Sequence, residues 1–168
     1  MKSVQDTRKI TNAMYLISST KLKKSKKLLE ETEPYFYTLQ DLIRRILRHM
    51  PDVEHFYFNP RCEIKGADRT KGLIVITGDK GLAGAYNHNV LKMAQGWMEQ
   101  GDNHRLYVVG ELGRHYFASK HIPVEEQFHY TVQNPTMHRA RLISSTVLED
   151  YEQGQLDEVW ILYTQMIN

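Results

Sequence analysis

The first twenty-eight residues constrain this chain more than any other segment. They carry eight Lys and Arg against one acid, Asp6, and they hold no loop signal. Such a run is a helix former. An apolar stripe begins at Val4, Ile10, Met14 and Ile17, at roughly helical spacing. Continued at the same spacing, the stripe falls on Lys21 and Lys24. A helix whose core-facing side turns basic halfway along does not rest on one ordinary apolar core. It asks for a partner that is acidic where the lysines lie.

Charge is distributed to match. The 168 residues have a formal net charge of +2. Residues 1–48 hold 11 Lys and Arg against 5 Asp and Glu, a balance of +6, which leaves 11 against 15, or −4, for residues 49–168. A basic arm on a mildly acidic body suits a polyanionic surface. Charge alone leaves nucleic acid, anionic lipid and an acidic protein groove open. The basic run Lys21–Lys27 has no interleaved aromatic or Arg for base contacts, and no Trp or Phe opposite the lysines for a membrane surface. Contact with acidic protein fits it best. Cys62 is the only cysteine, so no disulfide within one chain is possible. No apolar run reaches the ~18 residues of a membrane span, and no secretory signal stands at the start.

The pattern divides the chain into a long helix over about residues 1–50, a connector over 51–70 and an α/β region over 71–168. The helix is expected from about Ser3 to about Leu47, with a kink or break near Thr32–Pro34. Pro51, Asn59-Pro60 and Gly66 mark the connector. Leu73–Ile76 and Leu106–Val109 read as buried parallel strands, with further strands at Glu126–Tyr130 and Glu158–Tyr163. Helices are expected at 86–100, 111–120 and 134–152. Strands alternating with helices predict an α/β fold, a Rossmann-like, mostly parallel sheet with flanking helices. The abrupt start and the stop at Asn168, directly after a strand, suggest a piece of a longer protein.

The loop Thr77–Gly84 joins a strand to a helix, where α/β proteins hold phosphates. Its glycines are spaced G-x-x-G-x-x-G, which fits neither the dinucleotide fingerprint nor the P-loop. Glu111, just past the second strand, stands where a ribose-binding acid would. A stand-alone nucleotide-binding protein with a basic arm is therefore the alternative function, and a tight turn built on permissive glycines is the simpler reading. A nucleic-acid adaptor is a third. The eight histidines include no i, i+4 pair, so no helical metal site is expected. Ser18-Ser19 and Ser144-Ser145 lack a nucleophile-elbow context. No catalytic residue is assigned.

Two motifs resemble the γ subunit of F-type ATP synthases, the central rotor shaft. Ser3-Val4, Thr7, Lys9-Ile10-Thr11, Ala13-Met14 and Lys21 follow that family's N-terminal helix pattern, and Pro34-Tyr35 falls where the family tends to place it. Asp79-Lys80-Gly81-Leu82-Ala83-Gly84 is similar to the family's D-[RK]-G-L-C-G, with Asn87 matching a following Asn. Met166-Ile167-Asn168 looks like the end of a family strand. Ala83 replaces the usual Cys, Ala85 the second Gly, and Thr20 stands where Ser is common. No paired cysteines resemble the redox switch of the chloroplast form.

The resemblance implies a shaft that turns inside a ring of α and β subunits of the F1 sector, coupling ion flow to ATP synthesis or hydrolysis on that ring. It implies no catalytic site, no metal and no cofactor in this chain. Its partners would be the α and β subunits, the ε subunit and the membrane c-ring, with no nucleic acid. The chain would lie on the cytoplasmic face of a bacterial plasma membrane, held there only through the complex. The rotor–stator contact is expected at Lys9, Met14, Lys21, Lys23 and Lys24. Gly78, Asp79, Lys80, Gly81 and Gly84 are expected to form a structural loop. Family members also carry a further strand and a long C-terminal helix that coils against the first helix. Both would lie beyond Asn168.

Overall fold

The computed structural model describes residues 2–52, 54–58, 61, 64, 68–99, 103–124, 128–129, 131–132 and 134–166. The chain divides into two units, Met1–Phe58 and Asn59–Asn168.

The first unit is dominated by α1 (Lys2–His49), 48 residues and about 72 Å at 1.5 Å per residue. Arg48 and His49 in its last turn complement the helix dipole. Of the kink or break expected near Thr32–Pro34, the break does not occur: the helix runs on through Pro34. One proline removes a single backbone donor, and the turns on either side keep theirs. Thr32 and Thr38 bracket the site, each donating its hydroxyl to the carbonyl four residues back, Leu28 and Pro34, at 2.7 Å. No residue of α1 is buried. A short 3-10 turn follows at Phe56–Phe58.

The second unit contains β1 (Thr70–Ile76), α2 (Tyr86–Met98), β2 (Asn103–Val109), α3 (Glu111–Ser119), α4 (Met137–Glu152) and β3 (Glu158–Leu162). The strands form a parallel sheet in the order β2-β1-β3. Leu73 pairs with Leu106 and Val75 with Val108. These four side chains pack on one face with Val90, Leu91 and Ala94 of α2 and Phe117 of α3. Ile74, Tyr107 and Val109 point the other way, against Val147 of α4, Phe128 and Leu156. Burial on both faces is why β1 and β2 read as continuous apolar runs rather than alternating ones. Tyr107, fully buried, donates its hydroxyl to the carboxylate of Asp150.

Two expectations need correction. The strand at Glu126–Tyr130 falls mostly outside the described residues, and its described members are not in a strand: Phe128 is a buried plug and His129 lies in a turn. The helix expected from Asn134 starts at Met137. Thr136 is its N-cap, in extended conformation, accepting from the Arg139 N–H at 3.3 Å. Within α4, Leu142 is 42% exposed and Ile143 packs on the core. Gly66, Asn59-Pro60 and Ile167-Asn168 lie outside the described residues.

Candidate functional site

Lys9, Met14, Lys21, Lys23 and Lys24 all lie on α1 and all are exposed. An uninterrupted helix fixes their angular positions at about 100° per residue. Met14, Lys21 and Lys24 fall within about 50° of the line through Ile10 and Ile17. Lys9 and Lys23 lie about 90–130° away from it, on another side. The structure therefore brings three of the five onto one face and leaves two off it. That face runs from apolar (Ile10, 63% exposed; Ile17, 58%) to cationic over about four turns. Among the described residues, the ion pairs on α1 are Lys27–Glu31 at 3.8 Å and Arg44–Asp41 at 3.0 Å. Lys21, Lys23 and Lys24 enter none.

The glycine loop follows β1 at the carboxyl end of the sheet. Its first half is pinned. The Gly78 N–H donates to Asn87 Oδ1 at 2.7 Å, and the Gly78 carbonyl accepts from the Leu112 N–H at 3.2 Å. Asp79 Oδ1 accepts from the Glu111 N–H at 3.1 Å. Asn87 therefore ties the loop to the first turn of α2. The second half is open: Lys80 and Gly81 are exposed, and a side chain added at Gly81 would meet nothing within 4 Å. Gly84 turns the chain with φ +56°. Leu82, quoted within the Asp79–Gly84 motif, also has positive φ (+64°) and is 95% exposed.

Beside the loop, Gly110 closes β2 with φ +108°, against the Thr77 carbonyl. Glu111 opens α3 and is buried, with its carboxylate engaged by Arg114 Nη1 (3.1 and 3.3 Å) and facing His129 Nδ1 at 3.3 Å. A ribose would have to displace these partners. Arg114, three residues on in the same helix, was a legible partner; His129 was not. The loop also offers no free N–H at Gly78 for a phosphate. The Gly78 N–H and the Glu111 carboxylate are thus both engaged by side chains of this chain.

Among the described residues no helix is long and apolar enough to cross a membrane. A family profile described as ATP synthase matches residues 1–168. The chain is 46% identical to the ATP synthase gamma chain of Ruminiclostridium cellulolyticum, over 100% of this chain and 57% of that protein. It is 43% identical to the ATP synthase gamma chain of Caldanaerobacter subterraneus subsp. tengcongensis, over 99% of this chain and 56% of that one. It is 34% identical to the sodium ion specific ATP synthase gamma chain of Acetobacterium woodii, over 100% and 54%. The chain thus spans a little over half the length of the curated relatives it matches. It belongs to the ATP synthase gamma-chain family.

Proposed function

We propose that this chain forms part of the central shaft of a proton-translocating, rotary ATP synthase. In this reading residues 1–50 are the shaft, 51–70 a connector and 71–168 the foot. The shaft turns within the α and β subunits of the F1 sector, and the foot meets the ε subunit and the membrane c-ring. ATP chemistry takes place on the ring subunits, and this chain supplies mechanical coupling. It sits at the cytoplasmic face of a bacterial plasma membrane through its partners alone.

The observation that carries this reading is the one face of α1 on which Ile10, Met14 and Ile17 give way to Lys21 and Lys24, all exposed along one uninterrupted helix. The apolar part fits a helical or collar-like protein surface. The cationic part fits acidic side chains on a ring subunit, which the shaft could engage and release without a fixed, buried pairing. Lys9 and Lys23, on another side, would meet different subunits at any one angle of the shaft.

The test is coexpression of this protein, as it occurs in its source, with the α and β subunits. The expected product is one complex whose ATPase activity depends on this chain. Ring subunits that assemble and hydrolyse ATP equally well without it would overturn the reading. Within such a complex, Lys21→Glu with Lys24→Glu should reduce ATP-driven proton pumping more than Lys9→Glu with Lys23→Glu. Equal losses would refute the single-face contact.

A further inference from the structure

Past Lys24 the same face of α1 turns apolar again. Leu28, Tyr35, Leu39, Leu42 and Ile46 fall within about 30° of the line through Ile10 and Ile17. Together with Ile10, Met14 and Ile17 they are each 40–64% exposed. The face is thus apolar at both ends and cationic only at Lys21 and Lys24. It is also arranged evenly about Leu28. Ile46 stands as far beyond Leu28 as Ile10 stands before it, and the same holds for Leu42 with Met14 and for Leu39 with Ile17.

Charge divides at the same point. Residues 1–27 hold eight Lys and Arg against Asp6, a balance of +7, and residues 28–48 hold three against four, a balance of −1. Two copies side by side in the same direction would set +7 against +7, with Lys21 and Lys24 each facing its own counterpart. Like charges placed opposite one another in this way repel. Two copies in opposite directions would set +7 against −1.

We propose that a second copy of this chain covers this face, with the two α1 helices antiparallel and crossing at Leu28. In that register Ile10 meets Ile46, Met14 meets Leu42 and Ile17 meets Leu39, each twice by symmetry. The seam from Ile10 to Ile46 runs about 54 Å. Lys21 comes opposite Tyr35, where its apolar stem lies along the ring and its ammonium reaches water. Lys24 comes opposite Thr32, with Glu31 one residue away on the same flank. Glu31 has a partner in its own helix, Lys27 at 3.8 Å, but its side chain is 61% exposed and its carboxylate is open to Lys24 of the other copy. A shift of seven residues in either direction sets Lys21 against Leu42 or Leu28 instead, and an ammonium buried without a polar partner is costly. The two lysines therefore set both direction and register, as polar residues in a helical seam do. The pairing does not rest on the shaft reading. It occupies the face that the ring would use, so a paired copy must separate before it enters the ring.

The test is sedimentation equilibrium of the purified 168-residue chain at micromolar concentration, with cysteine cross-linking to read direction. The expected species is a dimer. In a Cys62→Ser background, Met14→Cys mixed with Leu42→Cys should give covalent dimers containing one of each. Met14→Cys alone should give almost none, since a disulfide needs Cα atoms within about 7 Å. Glu31→Lys should weaken the dimer about tenfold, the worth of two exposed ion pairs lost by symmetry. Adding Lys24→Glu to the same chain should bring the affinity back to within about threefold of the native value. A monomer would overturn the pairing and leave the face to another segment or subunit. So would a dimer that lacks the mixed cross-link, Met14→Cys cross-linking to itself, or an affinity that Glu31→Lys leaves unchanged. None of these measurements reads ATPase activity, so the shaft reading stands or falls separately.

Discussion

Replacing Asn87 by Ala isolates the bond that braces the glycine loop. The carboxamide oxygen is the acceptor for the Gly78 N–H at 2.7 Å, and Asn87 is only 9% exposed. Alanine leaves that donor without its partner, in a place where the side chain had excluded water. An unsatisfied buried donor costs about 1–3 kcal/mol. For a unit of about 110 residues, 1 kcal/mol moves the unfolding midpoint by about 4 °C, so the expected fall is about 4–12 °C. Both tryptophans, Trp97 and Trp160, belong to the second unit, so their fluorescence on heating reports the foot without a contribution from α1. Asn87→Asp keeps an acceptor and places a negative charge in the first turn of α2, which the helix dipole favours. It should lose less than half as much as Ala. A fall below about 2 °C for Asn87→Ala, well under the range set by the hydrogen bond, would refute the reasoning. So would equal falls for Ala and Asp.

Further outcomes follow from other parts of the chain. Gly110→Ala should abolish cooperative folding of the foot, since its Cβ would stand 2.3 Å from the Thr77 carbonyl oxygen at a φ of +108°; a tryptophan-monitored urea transition close to that of the native chain would contradict this. Pro34→Ala restores a backbone donor within α1 and should raise helix stability by up to about 3 kcal/mol, read as a higher midpoint of the helical circular dichroism signal; an unchanged midpoint would count against it. Glu158 is held below the ordinary carboxylate range, first by its hydrogen bond to Arg69 against the opposing pull of partial burial, then by the Trp160 indole N–H and the charges of Arg69 and Lys71. A carboxylate lowered in this way adds stability that is present above its unfolded pKa and lost as pH falls through the folded value. The stability gap between the native chain and Glu158→Gln should therefore close as pH falls into the acid range, and a gap constant with pH would show that the carboxylate charge is not its source.

Much of the fold was legible because the core is layered simply. Leu73–Ile76 and Leu106–Val109 are apolar on consecutive residues because helices cover both faces of the sheet, and a run of that kind has few other uses. The misreadings share a cause. Phe128 sits in a short aromatic stretch, and periodicity over so few residues does not separate a strand from a single plug beneath a turn. The start of α4 was displaced because Asn134 precedes Pro135, which pushes it away from the helical region, while Thr136 is free to cap. At the candidate site, the positions of Lys21 and Lys24 under Ile10 and Ile17 could be read directly, given a continuous helix. That Lys9 and Lys23 leave this face follows from the same arithmetic. The bracing of the loop by Asn87 and the positive φ at Leu82 depend on a specific side-chain contact and on backbone geometry, which side-chain patterning does not encode.

The two units are held by different physics, and this bears on what each is for. The foot has a core of its own, with Tyr107, Phe117, Phe128 and Leu156 essentially closed to solvent. The helix has none: Ile10, Ile17 and Ile43 remain about half exposed or more, and the Thr hydroxyls along it turn back to its own carbonyls. A long helix gains most of its stability from packing an apolar face rather than from propensity. Here that face is exposed within the described chain and changes from apolar to cationic along its length. A single apolar partner would bury Lys21 and Lys24 at great cost, and a wholly acidic one would leave Ile10, Met14 and Ile17 in water. The surface that satisfies both must itself change from apolar to acidic along the helix axis.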